Sequence, residues 1–344
     1  MLDCRRVPGT RYFIRSTRLT KILIARELPE AAARLLGGHE LDVHRGETPW
    51  TKAELMARLA DKDALICQLT QKVDAEALAA GKKLRVVANV AVGFDNIDLA
   101  AASARGIAVT NTPGVLDDTT ADFTWALILG VARRVVEGDR LARSGRWRGW
   151  DLMLLVGADV HGKTLGILGL GRIGRRVARR AQGFSMRVLY HDAVRAAAEV
   201  ERELGLEWVE TKEELLQQAD FVTLHVPLLP ETRHLIGRAE LSWMKPTAYL
   251  INASRGPVVD EAALAEALEK KQIAGAALDV FENEPAIHPK LVENPSVLLA
   301  PHLASASVET RTRMAVMAAE NVVAVLSGRR PANLVNAEVW KVEA

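Results

Sequence analysis

The segment Gly169-Leu-Gly171-Arg172-Ile173-Gly174 follows directly on the apolar run Thr164-Leu-Gly-Ile-Leu168 and precedes a helical pattern running to Gly183. A G-x-G-x-x-G spacing alone is a weak signal. Between a strand and a helix it has a physical meaning. Gly169 allows the tight turn out of the strand. Gly171 lets the backbone come close to a pyrophosphate. Gly174 lets the helix sit close on the strand. The helix amino terminus then offers unpaired N–H groups and a partial positive charge to phosphates. The next strand, Arg187-Val-Leu-Tyr-His191, ends at Asp192. An acid there accepts the ribose hydroxyls of NAD and repels a 2′-phosphate. Arg195 follows closely and could meet that phosphate, so NADP stays open.

The rest of the chain keeps the same rhythm. Before the glycine turn, strands are expected at Lys21–Ala25, Ala64–Cys67, Arg85–Asn89 and Ile107–Thr110. Helical patterns lie between them, one opened by the capping box Thr51-Lys-Ala-Glu54. A long helix is expected from about Thr119 to Gly138. After the turn, further strands are expected at Phe221–His225, Ala248–Asn252, Gly275–Asp279 and Val297–Ala300, then a helix from about Ser307 to Leu326. Two βα series imply an α/β chain with two doubly wound, Rossmann-like parallel sheets, each covered on both faces. A length of 344 residues suits two domains. The stretch from Ser144 to Val160 breaks the rhythm and carries Trp147, Trp150, Met153, Leu154 and Leu155, so it is expected to pack on another domain or subunit.

Composition excludes several classes. Hydrophobic residues at 49% and charged residues at 26% exclude disorder across the whole chain. Lys+Arg 45 against Asp+Glu 43 leaves a net charge of +2, which gives no one-signed field for nucleic acid or membrane. No apolar run reaches the roughly 18 residues of a membrane span. Cys4 and Cys67 make no disulfide framework and no metal cluster, which points to a reducing compartment, the cytoplasm, and to no metal. Residues 1–19 carry five arginines, Arg5, Arg6, Arg11, Arg15 and Arg18, against Asp3. That composition suits a transit peptide. Lacking a clean amphipathic period, it fits better a disordered tail or a start codon placed too far upstream.

Three ionisable residues fall where expected strands end: Arg255, Glu284 and His302. In an open parallel sheet, ligands bind at the carboxyl ends of strands. Arginine holds a carboxylate bidentately. Histidine gives or takes a proton near neutrality. A glutamate bonded to the imidazole favours its charged form and fixes its tautomer. Each also has a plain structural reading: Arg255 a surface ion-pair partner, Glu284 a loop acid before Pro285, His302 a structural histidine. The residues by themselves leave that choice open.

These segments resemble the D-isomer-specific 2-hydroxyacid dehydrogenases, in particular their glyoxylate/hydroxypyruvate reductase branch. The matching stretches are Ala91–Asp98, Leu116–Asp122, Gly162–Gly174, Asn252–Asp260, Leu278–Pro285 and Pro301–Ala306, spread over nearly all of the chain. The resemblance implies an NAD(P)H-dependent reduction of a small 2-oxo acid, such as glyoxylate or hydroxypyruvate, to its D-2-hydroxy acid. It implies that Arg255 binds the substrate carboxylate, His302 is the acid/base and Glu284 its partner. The Val92 and Gly93 N–H groups would hold the same carboxylate. Asp279 would lie at the nicotinamide amide, and Val226 and Pro227 along the adenosine. Ala253, His302 and Ala304 would line the cofactor. Ala304 stands where many members carry glycine. The implied domains are residues 20–117 with 305–336 for substrate and 118–304 for the dinucleotide, with a cleft between them. A homodimer is implied, with the Trp147–Leu155 stretch near its partner. The sequence keeps open a 2-ketogluconate reductase, a short-form phosphoglycerate dehydrogenase (too little chain follows Asn336 for a regulatory domain) and an NAD-responsive corepressor-like binding protein. Glu284 argues against the formate dehydrogenase branch, which carries glutamine in that role.

Overall fold

The structure, a computed structural model, describes residues 19–340. The arginine-rich stretch and Cys4 lie outside the described residues. The chain forms two compact units. One comprises residues up to Thr112 together with those from Ala315 on, and the other is Pro113–Met314.

The first unit holds a parallel sheet of five strands: β1 (Lys21–Ile24), β2 (Glu40–Val43), β3 (Ala64–Cys67), β4 (Val86–Asn89) and β5 (Ala108–Thr110), in the order β2-β1-β3-β4-β5. Alternate side chains enter different cores. Val87 packs with Leu23, Leu65 and Val109 on one face. Val86 and Ala88 pack with Ile22, Ile66 and Ala319 on the other. The capping box forms as expected, with Thr51 Oγ1 accepting from the Glu54 N–H and Glu54 accepting from the Thr51 N–H at 2.9 Å.

The second unit holds a parallel sheet of seven strands: β6 (Thr164–Leu168), β7 (Arg187–His191), β8 (Leu206–Trp208), β9 (Phe221–Leu224), β10 (Tyr249–Asn252), β11 (Gly275–Leu278) and β12 (Val297–Leu299). Their order is β12-β11-β10-β9-β6-β7-β8. The order reverses between β6 and β9, where consecutive connections leave to opposite sides. That switch point is where an open α/β sheet offers a crevice to a ligand. The helix Arg172–Ala181 is laid along the helix Asp117–Ala132 by ion pairs: Arg172 to Asp117 at 3.3 Å and Arg180 to Asp122 at 2.6 Å.

Two expectations need correction. The helix expected from Thr119 to Gly138 is two helices, Asp117–Ala132 and Val135–Arg143. Arg134 breaks them apart with φ 52°. The carbonyl of Ala132 accepts the N–H of Ala158 at 2.9 Å, so a returning loop ends the first helix. The sheets also contain β2 and β8, which were not expected. Both are short edge strands.

Candidate active site

At the end of β6 the chain turns through Gly169, whose φ is 94°. A Cβ there would lie 2.8 Å from the His225 carbonyl carbon, and one at Gly174 would lie 2.3 Å from the Gly169 oxygen. Both positions are closed to any side chain. Gly171 is different, because a Cβ there would meet nothing within 4 Å. The turn therefore keeps a free concavity at Gly171, directly before a helix with no side-chain cap. Unpaired N–H groups beside open space fit a diphosphate. Asp192 stands at the tip of β7, and its Oδ2 accepts the Leu170 N–H at 2.6 Å. The half-buried carboxylate is thereby fixed beside the turn.

The other residues expected at a nucleotide site are placed as follows. Arg172 is exposed and turned to Asp117. Ile173 packs on the core under β6. Val226 and Pro227 follow β9, and the Pro227 carbonyl accepts the Thr232 hydroxyl at 2.6 Å. Val226 borders the Gly169 turn. Ala253 and Ala304 are buried in the core. Arg195 is ion-paired to Glu201 at 2.8 Å.

β10, β11 and β12 are neighbours, so the loops at their carboxyl ends converge. His302 Nδ1 lies 2.9 Å from Glu284 Oε2. The other Glu284 oxygen accepts the Phe281 N–H at 3.1 Å. Burial pushes the Glu284 carboxyl up. The hydrogen bond and charge of His302, the Phe281 N–H and the Arg255 charge outweigh it and hold the carboxyl below its ordinary value. Because Nδ1 is committed to the carboxylate, Nε2 is the nitrogen left for a substrate. Arg255 follows β10, and its Nη1 donates to the Ser254 carbonyl at 2.8 Å. Asp279 is fully buried. Its two carboxylate oxygens accept the N–H groups of Leu303 at 2.6 Å and Ala304 at 2.8 Å. Burial pushes the Asp279 carboxyl up against the lowering effect of these bonds. Among the described residues no group of three His, Cys, Asp or Glu is arranged to hold a metal ion.

Several residues that build this site were not singled out from sequence. Asn252, buried at the end of β10, donates Nδ2–H to the Arg255 carbonyl at 2.9 Å, and its Oδ1 accepts the Ser254 N–H at 3.0 Å. An Asn at a strand end, two residues before a Ser, is an Asx-turn signal that could have exposed it. Gly256 lies so close to the Phe281 backbone that a Cβ would come within 1.9 Å of it. Glu261 is buried at the start of the helix Glu261–Glu269. It accepts the Glu282 N–H at 2.7 Å and the His288 N–H at 3.2 Å, which clasps the loop carrying Glu284. That contact has no local sequence signature.

In the first unit, the loop after β4 contains Val92 and Gly93. The Asn111 Nδ2–H donates to the Val92 carbonyl and the Asn89 Nδ2–H to the Gly93 carbonyl, both at 2.8 Å. Buried Asn89 also bonds Asn96 at 2.9 Å. The loop's carbonyls are thus held by an asparagine network.

Comparison with known proteins places the chain in a family. A family model described as D-isomer specific 2-hydroxyacid dehydrogenase, NAD binding domain, matches residues 125–304. A glyoxylate reductase of Korarchaeum cryptofilum (strain OPF8) is 54% identical over 326 residues, covering 94% of this chain and 97% of its own length. Another, from Aeropyrum pernix, is 50% identical over 329 residues, covering 94% and 97%. Among solved structures, an NADPH-dependent glyoxylate/hydroxypyruvate reductase from Sinorhizobium meliloti, in complex with NADP and malonate, is 33% identical. It aligns with a TM-score of 0.85 over 95% of this chain and 100% of that one. With its two parallel sheets, its glycine turn and relatives matching from end to end, this chain belongs to the D-isomer specific 2-hydroxyacid dehydrogenases.

Proposed function

We propose that the protein reduces glyoxylate, or a comparably small 2-oxo acid, to the 2-hydroxy acid with a reduced nicotinamide dinucleotide. The observation that carries this reading is the His302–Glu284 pair at 2.9 Å, at the strand ends of the same sheet whose β6 ends in a glycine turn open at Gly171. The relatives favour it over a 2-ketogluconate or phosphoglycerate enzyme and over a non-enzymatic binding protein.

The turn from Gly169 to Gly174 and the following helix hold the diphosphate, and Asp192 takes the ribose. When bound, the dihydronicotinamide supplies the hydride for the carbonyl carbon. The Arg255 guanidinium pairs with the substrate carboxylate and orients the 2-oxo group. The Val92 and Gly93 N–H groups of the other unit are donors of the kind that binds a carboxylate. Their role is supported by the bonds that fix the two peptide groups from the opposite side: the Ala91 carbonyl accepts the Thr112 N–H and the Val92 carbonyl accepts the Asn111 Nδ2–H, both at 2.8 Å. His302 Nε2 donates a proton to the carbonyl oxygen as negative charge develops there. Glu284 keeps Nδ1 as the anchored nitrogen and balances the positive ring. Asp279 supports the turn under His302 and faces the nicotinamide amide. The unit Pro113–Met314 is the nucleotide-binding domain, and the unit containing Val92 and Gly93 is the substrate domain.

Two further readings accompany this one. The protein is a homodimer, supported by Trp147, Trp150, Leu152 and Met153, which are exposed together on one segment. It works in the cytoplasm, supported by a sequence whose two cysteines are too few for a disulfide framework. No helix among the described residues is long and apolar enough to cross a membrane.

The test is an initial-rate screen of glyoxylate, hydroxypyruvate, 2-ketogluconate, pyruvate and 3-phosphohydroxypyruvate with each reduced nucleotide. Turnover is expected to be highest with glyoxylate or hydroxypyruvate. Absence of turnover with all five would overturn the reading.

A further inference from the structure

Beyond the glycine turn, the tip of β7 presents an acid and a base three residues apart, Asp192 and Arg195. Their surroundings differ sharply. The Asp192 carboxylate is fixed at the turn by the Leu170 N–H. The Arg195 guanidinium is drawn the other way. Its Nε donates to Glu201 Oε1 at 2.8 Å and its Nη2 to Glu201 Oε2 at 3.0 Å. Glu201 belongs to the next helix, Ala198–Leu204, and is itself anchored from below. The Tyr190 hydroxyl donates to Glu201 Oε1 at 2.6 Å and accepts the Ala196 N–H at 3.0 Å. Tyr190 is fully buried in β7, so it does not move with the loop.

We propose that Glu201 is a specificity-determining residue that withholds Arg195 from a 2′-phosphate and so sets the protein's preference for NADH over NADPH. This rests on the reading of the Gly169–Gly174 turn as a dinucleotide site and deepens it. A 2′-phosphate would arrive beside the Asp192 charge. It could be tolerated only if a cation nearby offset that repulsion. Arg195 is the arginine on the same loop, but two of its donors and its charge are spent on Glu201. The side chain of Glu201 is only 13% exposed, against 60% for Arg195. A fixed, half-dehydrated carboxylate holds a bidentate guanidinium better than a mobile surface acid would. The bonds from Arg195 and Tyr190 hold the Glu201 carboxyl down to about 2, so it is ionised throughout the neutral range. Tyr190, Glu201 and Arg195 thus act as one latch, and it leaves the Asp192 charge without Arg195 to offset it.

The experiment compares wild type, Glu201→Gln and Arg195→Ala/Glu201→Gln. Calorimetry reads the affinity for adenosine 2′,5′-bisphosphate against AMP. Initial rates with glyoxylate read kcat/KM for NADPH against NADH. Glu201→Gln keeps the shape of the side chain and removes its charge. It is expected to raise bisphosphate affinity and the NADPH/NADH ratio by about ten-fold, the order of one charge-assisted hydrogen bond. AMP affinity and the NADH rate should stay within about two-fold. The double variant should lose the gain, because the freed arginine is what produces it. An unchanged ratio in a folded Glu201→Gln, or a gain that survives Arg195→Ala, would overturn the proposal. If Glu201→Gln does not fold, Tyr190→Phe loosens the latch from the other side. A rise in the ratio then supports the latch, and no rise overturns it. Wild type that binds neither AMP nor either dinucleotide would instead remove the dinucleotide reading itself, and the latch with it.

Discussion

The His302 N–H donates to the carbonyl oxygen of Asp279 at 2.8 Å. The Asp279 carboxylate then takes the next two N–H groups, of Leu303 and Ala304. One buried residue therefore holds three consecutive peptide groups. His302 sits at φ 54°, a left-handed conformation that costs a non-glycine residue on the order of 1–3 kcal/mol. Such a conformation persists only where neighbours over-determine it. Asp279 does so, and it thereby aims the imidazole at Glu284.

Asp279→Ala should therefore cost stability as well as activity. The buried Ala304 N–H would lose its acceptor at about 1–3 kcal/mol, and the part-buried Leu303 N–H at about 1 kcal/mol. Urea unfolding should show a loss of roughly 2–4 kcal/mol. Asp279→Asn, which keeps one acceptor oxygen, should lose less. A variant as stable as wild type would mean that the turn around His302 holds without this clamp.

His302→Ala should lower kcat by about two or more orders of magnitude, because the proton donor and a positive group are lost together. Glu284→Gln keeps an acceptor for Nδ1 but no charge, and its loss should be smaller, roughly ten-fold. Near-normal turnover of His302→Ala would remove it as the acid.

The Glu284 carboxyl is held below its ordinary value of 4.5, so its ionised form stabilises the fold. That contribution is complete above the ordinary value. It is lost as pH falls through the lower value of the folded state. The stability gap between wild type and Glu284→Gln should thus be present just above the ordinary carboxylate value and close as pH falls below it. Urea titrations at a series of pH values read this directly. A gap that already closes between about pH 7 and 6 would mean a raised carboxyl.

Glycines at the two halves of the site separate folding from binding. An alanine Cβ at Gly256 would lie 1.9 Å from the Phe281 backbone, so the strand-end loops must part. Gly256→Ala should lose about 1–3 kcal/mol or more and, by moving Arg255, raise KM for the oxo acid. At Gly171 the same substitution meets nothing within 4 Å. Gly171→Ala should unfold within about 0.5 kcal/mol of wild type yet bind NADH more weakly. Equal melting of both variants, or NADH binding untouched at Gly171, would contradict the assignment of space at this turn.

The legible parts of the molecule are those written in local chemistry. The inner strands β3, β4, β9 and β11 are short apolar runs between helical patterns. The acid, base and guanidinium stand where those patterns stop. Asp74 and Asp98 cap their helices by accepting N–H groups three residues on, as their residue type predicts. The unread parts depend on distant partners. β2 and β8 are edge strands paired on one side, so Glu40-Leu-Asp-Val43 and Leu206-Glu-Trp208 need not be apolar on both faces. The break at Arg134 is imposed by a loop folding back onto Ala132. The work of Asn252, Glu261 and Asn89 is visible only once β-strand neighbours are known.

The segment after the helix Val135–Arg143 carries large apolar side chains on its outside. Trp150 is 82% exposed and Met153 70%, beside Trp147 and Leu152. Exposed apolar side chains gathered on one segment are costly to leave in water, which supports the proposed homodimer. These side chains make little contact within their own unit, so charging them should leave that unit folded. Trp150→Glu/Met153→Glu should shift the protein from dimer to monomer in sedimentation velocity, with helix content unchanged by circular dichroism. Wild type sedimenting as a monomer at all concentrations would remove the homodimer. A variant that stays dimeric would place the interface elsewhere, since two buried glutamates without partners cost an interface several kcal/mol.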